Sequence, residues 1–220
     1  LSARKAWFCH DGMVVCLIGG MTTKNLAAPV FTPLDQCRQD GPATVGGTRT
    51  KTITADGTHE LSGVTWLHHR KIAYVPLKAA KVSLKIGKVS GAWRPLSKLQ
   101  SDKVVTDRVF MPLLNHQNES SIGYIIAPGL DVSATAELAA RPAVTVLENS
   151  QSRQAVRFAD GTLMVAFYEA GELKAGGKPV AGCKQPCLML KGKNGVWVSD
   201  QSFNILNGKD RKVRSRTLAI

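Results

Sequence analysis

Apolar and polar positions alternate in short runs along most of the chain, and turn residues separate the runs. Residues 5–10 and 13–18 flank Asp11-Gly12, a pair suited to a two-residue hairpin with positive φ. Residues 153–158 and 162–168 flank Asp160-Gly161, and residues 187–191 and 196–199 flank Asn194-Gly195. Residues 48–54 alternate threonine with other side chains, and Asp56-Gly57 then turns into 58–61. Further β-rich runs are 72–75, 82–86, 109–114, 124–127 and 144–147. One stretch differs. Residues 131–140 are rich in helix formers, with Ser133 as the expected N-cap, and stop before Arg141-Pro142. The pattern predicts an all-β chain with one short helix as a boundary. A larger sheet region (1–141) precedes it, and about 80 residues (142–220) suffice for a smaller sandwich behind it. Residues 209–216 are expected to form an exposed basic tail.

Composition narrows the classes. The 220 residues are 44% hydrophobic and 20% charged, enough apolar surface to offset the ordering entropy that keeps disordered chains unfolded. The longest apolar run, 13–21, is too short and too broken by glycine to span a bilayer, which needs about 20 residues. Twenty-nine Lys and Arg against 16 Asp and Glu give a net charge of +13, so polyanions are attracted. Nucleic acid is disfavoured: the basic residues are dispersed, with no aromatic-rich RNA-binding motif and no helix to enter a groove. Arg49 and Lys51 are expected on a solvated sheet face. The chain opens on Leu1 without an apolar leader and reads as the later part of a longer polypeptide.

Candidate chemistry is sparse. There is no GxGxxG, P-loop, HExxH, GxSxG or CxxC pair. The spacing Cys183-Lys184-Gln185-Pro186-Cys187 has no matching second pair. Cys9, Cys16, Cys37, Cys183 and Cys187 are therefore expected to be buried thiols, and no metal or cofactor is predicted. His68, His69 and Tyr74 could supply a base and an acid for elimination on a uronic acid. Their place on adjoining strands instead favours buried, hydrogen-bonded side chains, and His116 has the same standing. His10 and His59 flank turns and are expected to be solvated. Trp7, Trp66, Trp93 and Trp197 could be sugar platforms but lie inside strand patterns, so packing is expected for all four. The carboxylates fall in no paired pattern. The residues alone thus give an all-β module with affinity for polyanions.

The order of segments says more. Lys5-Ala6-Trp7-Phe8, then the apolar strand ending in Gly19, then Thr32-Pro33-Leu34-Asp35-Gln36 resembles polysaccharide lyase family 8, the hyaluronate, chondroitin and xanthan lyases. Trp66-Leu67-His68-His69 with Ile72-Ala73-Tyr74, and Gly91-Ala92-Trp93, resemble later strands of the family's central sandwich. Asn115-His116 and Gly123 to Pro128 resemble its Asp-His-Gly and Tyr-Ala-Tyr stretches, with Asn115 in place of the Asp and Gly123 where an aromatic is common. Residues 144–150, Gln154-Ala155-Val156, Gln185-Pro186-Cys187 and Ser199-Asp200 resemble the C-terminal sandwich. The tail after Ser202 has no counterpart.

The resemblance implies an antiparallel super-sandwich portion followed by a smaller C-terminal β-sandwich. It also implies a helical toroid upstream in the same polypeptide, an acidic polysaccharide as partner, and an extracellular or periplasmic location. The family's catalytic Asn, His, Tyr and Arg come from the toroid, and a further Asn/Glu contribution precedes the Lys-x-Trp-Phe strand. No catalytic residue is carried over to this chain, which by this reading is scaffold and one wall of the substrate cleft. By loop position and charge, Lys24, Asn25 and Arg38 are the candidates for gripping a polyanion. The competing reading is a non-catalytic carbohydrate- or polyanion-binding sandwich.

Overall fold

The computed structural model describes residues 1–22, 28–116, 119–200 and 215–217. Along the chain run β1 (Ser2–His10), β2 (Met13–Thr22), β3 (Phe31–Pro33), β4 (Cys37–Arg38), β5 (Ala43–Gly46), β6 (Lys51–Ile53) and β7 (Gly57–Val64). They are followed by β8 (Trp66–His69), β9 (Ile72–Pro76), β10 (Ala80–Gly91), β11 (Val105–Asn115), β12 (Ile122–Pro128) and helix α1 (Val132–Ala140). The C-terminal part holds β13 (Val144–Asn149), β14 (Arg153–Phe158), β15 (Leu163–Phe167), β16 (Gly171–Ala175) and β17 (Lys178–Cys183). It closes with β18 (Cys187–Gly192), β19 (Gly195–Asp200) and β20 (Ser215–Thr217).

A seven-stranded sheet, β1-β2-β12-β9-β8-β5-β6, faces a sheet ordered β3-β11-β10-β7, with β4 also on β11. Period-2 alternation sends Cys16, Ile18, Leu67, Tyr74 and Tyr124 inward to meet Val82, Leu84, Ile86, Phe110 and Leu114. The opposite face of the large sheet is also apolar. Phe8, Val15, Leu17, Val75 and Ile125 pack there against α1 and against Val144, Val156 and Phe158 of a third sheet. That third sheet is β13-β14-β15-β18-β19-β20. Its far face, with Ala155, Val165 and Phe167, is covered by the β16–β17 hairpin through Leu173. The large sheet is thus buried on both faces, and for that reason β2 reads as a nearly continuous apolar run.

The first hairpin forms as predicted, with Asp11 at φ 47° and Gly12 at φ 70° and the strands in register from His10↔Met13. β14 and β15 pair around Asp160-Gly161. β18 and β19 pair too, but Gly192 opposes Gly195, so Lys193-Asn194 is the turn, one residue earlier than expected. The expected hairpin across Asp56-Gly57 does not exist. β6 pairs with β5 in the large sheet, whereas β7 pairs with β10 in the facing one. Asp56 does not close a turn; its carboxylate takes a bidentate hydrogen bond from Arg108 of β11, which holds this crossing between layers. The helix is capped by Asp131 rather than Ser133: Asp131 Oδ1 accepts from the Ala134 amide at 2.8 Å. Of the predicted basic tail, residues 209–214 lie outside the described residues, while Ser215–Thr217 adds a strand to β19.

Candidate functional site

The polar residues of the central sandwich form a closed network. The Tyr74 hydroxyl donates to Asp35 Oδ2. His69 Nε2 accepts from the Asp40 amide at 3.1 Å, which leaves the Nδ1 proton facing Cys37 Sγ at 3.8 Å. The His69 ring stacks on Phe110 at 4.2 Å between centroids. Burial pushes the Cys37 thiol up to about 11, helped by the Asp35 carboxylate. Burial also raises Tyr74, with the Asp35 hydrogen bond next in size. Burial followed by the Arg70 charge lowers His69. Tyr74 and His69 are buried and Cys37 partly so, and these shifts favour the neutral thiol, phenol and imidazole. They tie the β3–β4 segment to the sheet beneath it.

The other histidines are also committed. His68 faces away from His69 and donates from Nε2 to the Leu130 carbonyl at 3.0 Å, holding the turn before α1. His116 is buried, with Nε2 2.7 Å from Thr32 Oγ1 and Nδ1 without a hydrogen-bond partner among the described residues; burial lowers its pKa. His10, expected in solvent, instead lies 3.0 Å from Asp160 Oδ2 and tilts against Phe158 across the junction with the third sheet. His59 is half-buried and bonds the Ala55 carbonyl. Among the cysteines only Cys16 and Cys187 are fully buried. Cys37 and Cys183 are partly buried, and Cys9 is exposed because β1 is an edge strand.

A second network spans the junction. Gln154 is fully buried. Its Nε2 donates to Asn149 Oδ1 at 2.8 Å and to the Arg4 carbonyl at 3.3 Å, and its Oε1 accepts from the Tyr168 hydroxyl at 2.6 Å. Asn149 Nδ2 donates in turn to the carbonyls of Ile18 and Ile122, at 3.1 and 3.0 Å. Gly19 is required here, since a Cβ on it would stand 2.4 Å from Asn149 Oδ1. Two amides therefore satisfy β1, β2 and β12 of the large sheet from β13 and β14 of the small one.

Of the residues predicted to grip a polyanion, Arg38 alone is among the described residues. Lys24 and Asn25 lie outside the described residues. Arg38 sits on β4 with its guanidinium largely exposed and its Nε 2.8 Å from Asp107 Oδ2. An exposed pair of this kind contributes little to stability and leaves the remaining guanidinium donors to solvent. The tryptophans correct an expectation: Trp66 alone is core, at 6% exposure, whereas Trp7, Trp93 and Trp197 are 59%, 61% and 47% exposed. Trp66 lies flat on Gly46, where a Cβ would approach the indole to 2.0 Å. Trp7 and Trp197, far apart in sequence, line one cleft of about 620 Å³ with Tyr168, Leu188 and Leu190. Sequence patterning missed this cleft because edge strands and core strands alternate alike.

Two family models match the chain in order. The polysaccharide lyase family 8 super-sandwich domain covers residues 1–139, and the C-terminal beta-sandwich domain of the same family covers residues 145–201. The chain belongs to polysaccharide lyase family 8. It is 31% identical over 210 residues to Chondroitinase-AC of Pedobacter heparinus, a match over 91% of this chain and 29% of that protein. It is 30% identical over 214 residues to Hyaluronate lyase of Thermasporomyces composti, over 91% of this chain and 27% of that one. Xanthan lyase of Bacillus sp. (strain GL1) is 24% identical over 71% of the chain. Among solved structures, a chondroitinase AC lyase described in oligosaccharide complexes superposes with a TM-score of 0.77 at 28% identity, over 90% of this chain and 30% of that one. A Paenibacillus xanthan lyase shares the fold with a TM-score of 0.76 at 22% identity. This family 8 chain therefore spans less than a third of the length of these relatives, and it corresponds to their β-sandwich region.

Proposed function

We propose that the chain is the latter central sandwich (1–141) and the C-terminal sandwich (142–220) of a lyase that cleaves an acidic polysaccharide by β-elimination. The observation that carries this reading is the ordered match to both sandwich modules of one lyase family. In such a reaction a base takes the proton from C5 of a uronic acid. The electron pair forms the C4–C5 double bond, the C4–O bond breaks, and the leaving oxygen receives a proton. The groups that move these protons belong, in this reading, to a helical toroid upstream in the same polypeptide. The described histidines and tyrosines of this chain are spent on structural hydrogen bonds. Its part is scaffold, with one wall of the substrate cleft. The net charge of +13 supports an anionic polymer such as chondroitin, hyaluronan or xanthan. By its resemblance to this family, the enzyme in this reading acts outside the cytoplasm, in the periplasm or medium.

The 220-residue chain incubated with hyaluronan and chondroitin sulfate is expected to give no rise in absorbance at the unsaturated-uronate band. Clear product formation by this chain would overturn the assignment of the catalytic groups elsewhere. In the full-length enzyme, Lys24→Ala with Arg38→Ala is expected to raise KM with kcat little changed, since both act on the bound polyanion away from the bond that breaks. Unchanged kinetics would remove Lys24 and Arg38 from the substrate path.

A further inference from the structure

The far face of the third sheet ends in a basic cleft. Arg157 of β14, Leu163 of β15 and Lys191 of β18 stand in one cross-strand row, set by the registers Arg157↔Leu163 and Leu163↔Lys191. Residues paired across strands share a face, so both cations emerge on the side where Leu163 is buried. The β16–β17 hairpin covers the rest of that side through Leu173, and its Pro179 and Val180 form one wall of the cleft. The turns Asp160-Gly161 and Lys193-Asn194 close the same end of the sheet. They bring Gly161 and Lys193 to this cleft, which encloses about 470 Å³.

Arg157 and Lys191 are two strands apart, so their backbones stand about 10 Å from each other. Arg157 is half-buried, and Lys191 and Lys193 are exposed. Among the described residues no carboxylate pairs with any of the three. Asp160 also lines the cleft, but its carboxylate is already held by the Thr162 amide at 2.9 Å, the Thr162 hydroxyl at 3.0 Å and His10 at 3.0 Å. A half-buried guanidinium without a counter-charge has given up part of its hydration and gained no anion in return. Among the described residues no aromatic side chain lines the cleft, so a nucleobase would find no ring to stack on. Cations set along a cross-strand row suit instead a linear polymer that repeats a carboxylate or sulfate along its length.

We propose that this cleft binds one anionic segment of an acidic polysaccharide, with Arg157 and Lys191 on successive negative groups and Lys193 adding a third contact from its turn. This rests on the reading of the chain as part of a lyase for such a polymer. Arg157 gives the site its geometry: its fork takes a carboxylate or sulfate through two parallel hydrogen bonds, whereas the two lysines act as point charges. A polymer held both here and at the bond that breaks is bound at two places. The site therefore raises the local concentration of long substrates and leaves short ones unaffected.

Titration of the isotope-labelled 220-residue chain with chondroitin sulfate oligosaccharides tests this, with the NMR amide signals of Gly161, Val180, Gly192 and Lys193 as reporters. Those signals should move together and saturate, and added salt should weaken the binding. The variant Arg157→Gln, Lys191→Gln, Lys193→Gln should bind about tenfold more weakly or worse. A variant that removes the same charge elsewhere, Lys98→Gln, Lys103→Gln, Arg141→Gln, should bind nearly as the parent does. Arg157→Lys keeps the charge but loses the fork, and its affinity should fall between the parent and the first variant. Oligosaccharides that move none of the four signals would overturn the site, and so would equal weakening by the two triple variants. A DNA oligonucleotide of matched charge that binds the cleft as tightly would overturn the choice of polymer. Failure of the underlying reading is separately visible: the full-length enzyme would then release no unsaturated product from chondroitin sulfate, hyaluronan or xanthan, whatever this cleft binds.

Discussion

Replacing Gln154 by leucine keeps the side-chain volume close and removes three hydrogen bonds from a site with no access to water. The bonds are those to Asn149 Oδ1, the Arg4 carbonyl and the Tyr168 hydroxyl. At about 1 kcal/mol net for each, the loss is about 3 kcal/mol, and partners left unsatisfied can raise it to about 5 kcal/mol. For a chain of this length that corresponds to a fall in Tm of about 2–4 °C per kcal/mol. Tyr168→Phe removes one of the three bonds and should cost about 1 kcal/mol. If the network is the cause, the effects will not add, and the double variant will lose about 1 kcal/mol less than the sum. Urea unfolding followed by circular dichroism gives the energies. Hydrogen exchange at β1 and β14 shows whether the opening is at the junction. A cost for Gln154→Leu below about 1 kcal/mol, or full additivity with Tyr168→Phe, would refute the view that this amide latches the two sheets.

Gly46→Ala drives a methyl group into the Trp66 indole, at 2.0 Å from the ring. The strain should exceed the usual overpacking cost of about 1–3 kcal/mol and shift Trp66 fluorescence to the red, and a variant with parental stability and spectrum would contradict the close packing. The Asp160 carboxyl is lowered to about 2, first by the Thr162 amide and then by His10. Its folded value lies below the unfolded one, so its contribution is present above about pH 4 and is lost as the pH falls towards 2. Carbonyl-carbon NMR of Asp160 should show that low midpoint, and a midpoint in the ordinary carboxylate range would count against the turn geometry.

The first hairpin, the strand runs and the helix were legible because each is a local pattern whose period and turn residues need no distant partner. The β6–β7 crossing was not, because Asp56-Gly57 has the composition of a hairpin turn. Its two strands go to different layers because β6 pairs with β5 and β7 with β10, partners that lie elsewhere along the chain. The structural roles of His69 and Tyr74 could be argued from strand position, but their actual partners, Asp35, Cys37 and Asp40, come from the β3–β4 connection. For tryptophan the same reasoning misled. A strand pattern shows that Trp7 and Trp197 alternate with apolar neighbours; it does not show that β1 ends a sheet.

By itself the sequence determined the all-β class, the helix between two sandwich regions, the basic charge and the family, since periodicity, composition and the order of short segments are properties of the chain. The tertiary structure decided which strands lie at edges, which buried polar groups answer one another, and where two sheets leave an apolar cleft. These depend on contacts between residues from 29 to 150 positions apart, and burial and hydrogen bonding there are set by packing that no local pattern encodes.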